Sequence, residues 1–134
     1  MDKLEEAIAT YFGKKKEVIA VYLFGSYAVG REYHLSDIDI GILLERKERD
    51  RDKQIITDSM VELGRILRRD IHPVILNSAS EEILRQIFLK GKCVLIHDSK
   101  KLAQFTMIKF VEIADFAYYR EQMQAGLINK TMGG

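Results

Sequence analysis

Residues 23–43, LFGSYAVGREYHLSDIDIGIL, join a Gly-Ser turn to an Asp-x-Asp pair through one short loop. The run before the turn, EVIAVYLF at residues 17–24, is rich in β-branched and aromatic side chains, which predicts a buried strand. The run DIDIGILL at residues 37–44 predicts a second strand for the same reason. The connecting loop therefore carries polar groups at both of its ends.

The two aspartates, Asp37 and Asp39, lie two positions apart, so in a strand they project from one face while the isoleucines between them enter the core. Adjacent carboxylates repel each other unless a cation lies between them. Mg²⁺ suits such oxygen ligands, because it usually takes one or two carboxylates together with substrate phosphates. Gly41 follows on the same face, and we expect it to leave the floor of the site open.

The Gly-Ser turn, Gly25 and Ser26, directly follows a hydrophobic strand. Glycine lets the backbone approach a phosphate closely, a serine hydroxyl adds a donor, and a helix N-terminus after the turn favours negative charge. For Gly-Ser alone, an ordinary strand-to-helix turn with a serine N-cap is the simpler interpretation. A turn and paired carboxylates on neighbouring strands together describe a site for a nucleoside triphosphate and its metal.

The rest of the chain alternates predicted helices with short predicted strands, without repeats or linkers. This pattern predicts an α/β or α+β domain, with a small mixed sheet flanked by helices. We expect one domain over residues 1–134, with a core at about 4–98 and a long C-terminal helix at about 99–126. The remaining predicted elements are a helix at 4–13, a helix after the charge run at 45–53, strands at 70–76 and 93–97, and a helix at 77–92.

Three local features are also predicted for these elements. The helix after the charge run has a stripe suited to burial, namely Ile56, Met60, Leu63 and Leu67. The next helix has a candidate capping box from Ser78 to Glu81. Cys93 lies in an apolar run and is expected to be buried and inert.

Composition excludes several classes of protein. Lys and Arg total 21 against 20 for Asp and Glu, and a net charge of +1 disfavours a general nucleic-acid binder. The single cysteine permits no intrachain disulfide, and no Cys/His zinc pattern is present in the sequence. No apolar run reaches the ~18 residues needed to span a bilayer, and the acidic N-terminal segment is unlike a signal peptide. We therefore expect a cytoplasmic protein that does not act at a membrane.

The spacing of these motifs resembles the signature of the DNA polymerase β-like nucleotidyltransferase superfamily. Ten residues separate Gly25-Ser26 from Asp37-x-Asp39, with Ser36 just before the pair. The short chain is similar to the minimal nucleotidyltransferase branch over about residues 4–98. The resemblance implies transfer of a nucleoside monophosphate, with Gly25 and Ser26 holding the β/γ phosphates of ATP. It also implies that Asp37 and Asp39 are catalytic and bind two Mg²⁺ ions.

The sequence departs from that signature at two places. Many members have an arginine before the second glycine of the loop, whereas here Val29 precedes Gly30 and Arg31 follows it. The family also places a third carboxylate on a later strand, and alignment on VILN puts that position at His72. Asp70 is the alternative catalytic carboxylate, provided that the strand bulges before Pro73.

The acceptor of the transferred group is expected to come from another molecule. The final helix is apolar around most of its circumference, and its aromatic end, Phe116, Tyr118 and Tyr119, needs a covering partner. That partner is either a second copy or another protein. The resemblance implies a HEPN-type toxin, for which this branch acts as antitoxin and adenylylates a tyrosine.

Two other functions remain open at this point. A degenerate site would make the chain a nucleotide-binding module that neutralises its partner by contact alone, and His72 at a carboxylate position motivates this alternative. A small-molecule adenylyltransferase of the aminoglycoside type shares the motif but needs an acceptor domain that this sequence does not supply. His34 and His97 have no ligand-spaced partner, so we interpret both as structural or solvated.

Overall fold

The computed structural model describes residues 2–25, 37–45 and 51–132, with side chains described as far as residue 126. Helices and strands alternate along the chain, as predicted. They are α1 (Lys3–Gly13), β1 (Val18–Phe24), β2 (Ile38–Leu44), α2 (Arg51–Asp58), a π-helical turn (Ser59–Leu63), α3 (Gly64–Leu67), β3 (Ile71–Ile75), a 3-10 turn (Leu76–Ser78), α4 (Glu81–Lys90), β4 (Lys92–Ile96) and α5 (Ser99–Met132).

Within the described residues, four strands form one mixed sheet in the order β3-β2-β1-β4. The central pair, β1 and β2, is antiparallel, β1 also pairs antiparallel with β4, and β2 pairs in parallel with β3. This architecture confirms the predicted α/β class with a small mixed sheet. β3 lies at one edge, which accommodates Pro73 because proline cannot donate to a second neighbouring strand.

Hydrophobic side chains pack against both faces of the sheet. On one face, α1 and the helical segment from Arg51 to Leu67 cover alternate residues of β2, and fully buried side chains such as Phe12 and Ile40 fill this core. On the other face, Leu76 and Ile87 cover Gly41. Asp39 belongs to this second face, since it lies two residues before Gly41.

The register between β2 and β3 is continuous from Ile38 opposite Ile71 to Ile42 opposite Ile75. Asn77 extends this pairing beyond the last residue of β3. Its Oδ1 accepts from the Leu44 amide at 2.9 Å, and its Nδ2 donates to the Leu44 carbonyl at 2.8 Å. One amide side chain thus satisfies both backbone groups of Leu44, which nothing in the sequence analysis predicted.

The segment after the charge run differs from the predicted single stripe. A π-helical turn at Ser59–Leu63 widens the helix, and the buried residues are Ile55, Ser59 and Leu63. Met60 is 50% exposed, so its predicted burial is wrong. The buried Ser59 hydroxyl donates within the helix, since the carbonyl oxygens of Ile55 and Ile56 lie 2.7 and 3.0 Å away.

Two further local predictions need correction. Helix α4 begins after Ser80, whose hydroxyl accepts from the Ile83 amide at 3.3 Å, so Ser80 is the N-cap in place of Ser78. The 3-10 turn occupies the position where the earlier cap was expected. Cys93 is exposed because β4 is the outer strand beside β1 in the described sheet.

The contacts divide the chain into two compact units, Met1–Leu102 and Ala103–Gly134. The first contains the sheet and the helices that cover it. The second is the continuation of α5, which extends past residue 126 to Met132 and is therefore longer than expected. Asp98 caps α5 by accepting from the Lys101 amide at 3.0 Å. Among the described residues, no helix is both long enough and apolar enough to cross a membrane.

Replacement of Asn77 by alanine should destabilise the domain, because both backbone groups of Leu44 would lose their partner. We expect the free energy of unfolding to fall by about 1–3 kcal/mol in urea titrations. Ser78→Ala is the matched control, since Ser78 is exposed in the same turn and should change stability by less than about 0.5 kcal/mol. Equal stability of the two variants would contradict the role of Asn77.

Candidate functional site

Gly25 directly follows strand β1 and has a backbone conformation that favours glycine. Its φ is 73°, and it follows Phe24, which pairs with Asp39 across the antiparallel ladder. A Cβ built on Gly25 would lie 2.2 Å from Asp39 Oδ2, far inside van der Waals contact. Gly25 and the second aspartate of the Asp-x-Asp pair therefore meet at one end of the sheet, as the placement of these residues on neighbouring strands predicted.

Asp39 also contacts the neighbouring strand on its other side. The parallel register places His72 opposite Asp39, and His72 Nδ1 lies 3.0 Å from Asp39 Oδ1. An ionised carboxylate only accepts hydrogen bonds, so Nδ1 carries the proton in this contact. The Asp39 side chain is 29% exposed and that of His72 is 62% exposed. The two oxygens of Asp39 thus have different surroundings, with His72 at Oδ1 and the Gly25 backbone at Oδ2.

Asp37 and Asp70 each precede a strand. β2 begins at Ile38, so Asp37 lies just before it, where its side chain is exposed. The Ile38 amide donates to the Asp70 carbonyl at 2.9 Å, which places the backbones of these two segments side by side. The unbroken register of β2 and β3 contains no bulge before Pro73. The condition under which Asp70 would replace His72 opposite Asp39 is therefore not met.

Gly41 does not form an open floor. A Cβ at this position would lie 2.9 Å from Leu76 Cδ2 and 3.1 Å from Ile87 Cδ1. The expectation of open space beside the metal is wrong, because helix α4 and the 3-10 turn before it cover this part of the face. Gly41 instead lets those elements pack closely on the sheet.

Tyr22, opposite Gly41 on β1, is the aromatic neighbour of this face. Burial, followed by the nearby Cys93, raises the pKa of Tyr22 to about 12. Its phenol therefore stays protonated at neutral pH and adds no charge beside the carboxylates. The pKa of the Cys93 thiol is also raised, chiefly because its partial burial disfavours the charged thiolate, although the residue as a whole is exposed.

Several predicted residues of the loop lie outside the described residues. They are Ser26, Val29, Gly30, Arg31, His34 and Ser36. His97 is described, and its Nδ1 lies 2.7 Å from the Val18 carbonyl. This backbone contact agrees with the structural role expected for that histidine.

The donors at the end of the sheet suit a magnesium-bound phosphate. Asp37 and Asp39 supply carboxylate oxygens, and the absence of a side chain at Gly25 lets the Asp39 carboxylate lie directly against the backbone of the turn. Over the ranges that the structure describes, no group of three or more His, Cys, Asp or Glu side chains could hold a metal ion. Mg²⁺ does not require such a group, because one or two carboxylates and substrate phosphates can complete its coordination.

Comparison with known proteins identifies the family to which this chain belongs. The sequence model of the family described as Polymerase beta, Nucleotidyltransferase matches residues 6–100. A search of curated proteins found no significant match.

Among solved structures, a chain of a toxin–antitoxin crystal structure with AMP-PNP is similar at 24% identity and a TM-score of 0.68, covering 96% of this chain and 98% of that one. A chain from a variant of the toxin–antitoxin pair MntA–HpeT has 23% identity, a TM-score of 0.71 and coverage of 96% and 99%.

A third similar chain comes from the re-refined structure of a tri-AMPylated Shewanella oneidensis HEPN toxin in complex with MNT antitoxin. It has 22% identity and a TM-score of 0.62, and it covers 96% of each chain. At these identities the structural likeness establishes a shared fold. Because the family model covers most of this chain and includes both the Gly-Ser turn and the Asp-x-Asp pair, the protein belongs to the polymerase β nucleotidyltransferase family.

Proposed function

We propose that this protein is an antitoxin that transfers AMP from ATP to a tyrosine hydroxyl of a HEPN-type toxin, in a reaction that requires Mg²⁺. The observation that carries the proposal is the contact between Gly25 and Asp39. Gly25 has a positive φ and lies directly against the Asp39 carboxylate. A Cβ on Gly25 would lie 2.2 Å from Asp39 Oδ2. A glycine turn can approach a phosphate closely and a carboxylate can bind Mg²⁺, so their contact supports a site for a metal-bound phosphate.

The similar structures favour a protein acceptor. Their descriptions name a toxin–antitoxin pair with AMP-PNP and a tri-AMPylated HEPN toxin with MNT antitoxin. Each alignment covers nearly all of this chain and nearly all of the matched chain, so the chains have similar lengths. A diffusing small acceptor would need a pocket of its own, whereas a protein acceptor brings its hydroxyl already positioned.

The proposed reaction is one displacement at phosphorus. The tyrosine oxygen forms a bond with the α-phosphorus of ATP, and the bond between that phosphorus and the oxygen bridging to the β-phosphate breaks. Pyrophosphate leaves with the electron pair, and the phenolic proton passes to a base. In this scheme the backbone at Gly25 and the hydroxyl of Ser26 hold the β/γ phosphates. Asp37 and Asp39 would hold Mg²⁺, which when bound would neutralise charge on the triphosphate.

The second unit supplies a surface for the partner. Along α5, large apolar side chains remain exposed, and among them Phe116, Tyr118 and Tyr119 are 62%, 59% and 64% exposed. The rings of Tyr118 and Tyr119 form an edge-to-face pair with centroids 5.8 Å apart. Each large aromatic side chain can bury about 150–250 Å² at an interface. We propose that this aromatic end contacts the toxin, with a second copy of the chain as the alternative occupant.

A second candidate function is neutralisation by contact alone. The observation in its favour is His72, which lies opposite Asp39 where the family resemblance implied a third carboxylate. Such a site would bind nucleotide without transferring AMP. The two functions differ in whether the carboxylates are needed once the complex has formed.

Substitution of Gly25 by alanine should weaken metal-dependent nucleotide binding by about 10–100-fold, because the new Cβ displaces Asp39. Binding of a fluorescent, non-hydrolysable ATP analogue in the presence of Mg²⁺ measures this effect. Gly13→Ala is the control, since a Cβ there would meet nothing within 4 Å. An unchanged affinity in a folded Gly25→Ala protein would contradict the proposed phosphate site.

The double change Asp37→Asn and Asp39→Asn should reduce AMP transfer by about 10²–10³-fold, because it removes both charged metal ligands while conserving shape. ATP labelled at the α-phosphate, incubated with Mg²⁺ and the purified toxin, reports transfer to the toxin. Glu6→Gln with Glu82→Gln serves as the control, since it removes two exposed carboxylates from helices α1 and α4.

Neutralisation of the toxin in cells separates the two candidate functions. If the Asp37/Asp39 double variant still binds the toxin but no longer neutralises it, chemistry is required. If neutralisation persists undiminished, contact alone suffices and the transferase proposal is wrong.

The change Phe116→Glu or Tyr119→Glu should weaken toxin binding by about 2 kcal/mol or more, roughly thirtyfold in Kd, because it places a charge in an apolar contact. Nucleotide binding should stay intact, since the phosphate site lies in the first unit. Gln122→Glu adds the same charge to an exposed position of α5 and is the control. Sedimentation velocity measures both effects, and complexes of equal stability for all three variants would exclude this surface as the interface.

A further inference from the structure

The contact between His72 and Asp39 limits how many metal ions the site can hold. This inference rests on the proposed nucleotide function. His72 donates from Nδ1 to Asp39 Oδ1 across 3.0 Å. The remaining oxygen, Oδ2, lies beside the Gly25 backbone, where the phosphates are proposed to bind. Asp39 is therefore arranged to offer one oxygen toward a metal and to keep the other in a hydrogen bond.

One magnesium ion can be satisfied by the donors that the described residues provide. Oδ2 of Asp39 and the exposed carboxylate of Asp37 would hold the ion, and substrate phosphates and water would supply its remaining oxygen ligands. Mg²⁺ commonly binds in this manner, with one or two carboxylates and the rest of its ligands from substrate and solvent.

A second ion would require additional carboxylate oxygens at the correct distance. In two-metal sites the ions are about 3.5–4 Å apart, so they share ligands and stand close to the same strands. The neighbouring strand presents His72 at the position opposite Asp39, and its Nδ1 proton points at the shared carboxylate. Asp70 precedes that strand by one residue, its carbonyl accepts from the Ile38 amide, and the register contains no bulge that would bring it level with Asp39, so among the described residues no third carboxylate lies opposite Asp39.

We propose that this site holds a single divalent cation, bound together with the triphosphate, and that His72 is the positioning residue that turns Asp39 so that Oδ2 faces the metal. A carboxylate at position 72 would remove the hydrogen-bond donor and add two oxygen ligands beside Asp39. The His72→Asp variant therefore acquires a second cation.

Electron paramagnetic resonance of Mn²⁺ counts the ions directly, because Mn²⁺ accepts the same carboxylate and water ligands as Mg²⁺. The full-length protein, saturated with a non-hydrolysable ATP analogue, is titrated with Mn²⁺. For the wild type we expect one tightly bound, magnetically isolated Mn²⁺ per chain, without coupling to a histidine nitrogen. For His72→Asp we expect two ions per chain with the exchange coupling of a closely spaced pair.

Two more variants separate the hydrogen bond from the carboxylate count. His72→Ala removes the donor without adding a ligand, so it should retain one isolated ion, bound about 10–100-fold more weakly because Asp39 is no longer oriented. Asp70→Asn should retain the single ion of the wild type at unchanged affinity. Loss of that ion in Asp70→Asn would assign Asp70 to the metal site and overturn the inference.

The wild-type spectrum provides the decisive outcomes. Two exchange-coupled ions would overturn the single-ion site, and nitrogen coupling to Mn²⁺ would show that His72 is a ligand and not a positioning residue. Nucleotide binding with no tightly bound Mn²⁺ would overturn the inference while leaving the phosphate site intact. Absence of nucleotide binding would instead contradict the proposed function, and with it this inference.

Discussion

The parallel register between β2 and β3 is the constraint on which the site depends. It sets Asp39 opposite His72, and a shift of one residue would turn every side chain of β3 to the other face of the sheet. The register is held at both ends of the pairing. The Ile38 amide bonds to the Asp70 carbonyl at the beginning, and Asn77 bonds to both backbone groups of Leu44 beyond the end. A buried apolar ladder between these points leaves little freedom for slippage.

The sequence predicted the sheet, its class and the meeting of the two motifs, because these follow from strong local patterns. Strand β1 consists largely of β-branched and aromatic residues, strand β2 largely of isoleucine and leucine, and both are mostly buried. The predictions that failed depend on packing that local patterns do not encode. Met60 lies on a regular helical stripe, but in the π-helical turn Ser59 is buried in its place, while Ile56, Leu63 and Leu67 still pack on the core. Cys93 belongs to an apolar run, yet an outer strand leaves it exposed.

Contacts between residues that are far apart in the sequence could not be predicted from local patterns either. A glycine at the end of a strand predicts a turn, but no spacing rule predicts that its Cβ would collide with Asp39 Oδ2. Gly41 shows the converse error, since a glycine beside the site was expected to open space and instead admits Leu76 and Ile87. In both cases a glycine in the sequence indicated that another group packs closely against the backbone. Which group does so could be seen only in the folded structure.

His72 also affects the site before any ligand arrives. A carboxylate beside Asp39 would add to the repulsion between Asp37 and Asp39, and the folded site would then depend on cations to offset that charge. A histidine that donates to Asp39 has the opposite effect, because a hydrogen bond to the ionised carboxylate stabilises it without metal. The solvent exposure of His72 weakens this contact, but the contact remains stabilising. With His72 opposite Asp39, the folded site therefore needs less cation charge, and the hydrogen bond helps to keep Asp39 oriented as the proposed nucleotide site requires.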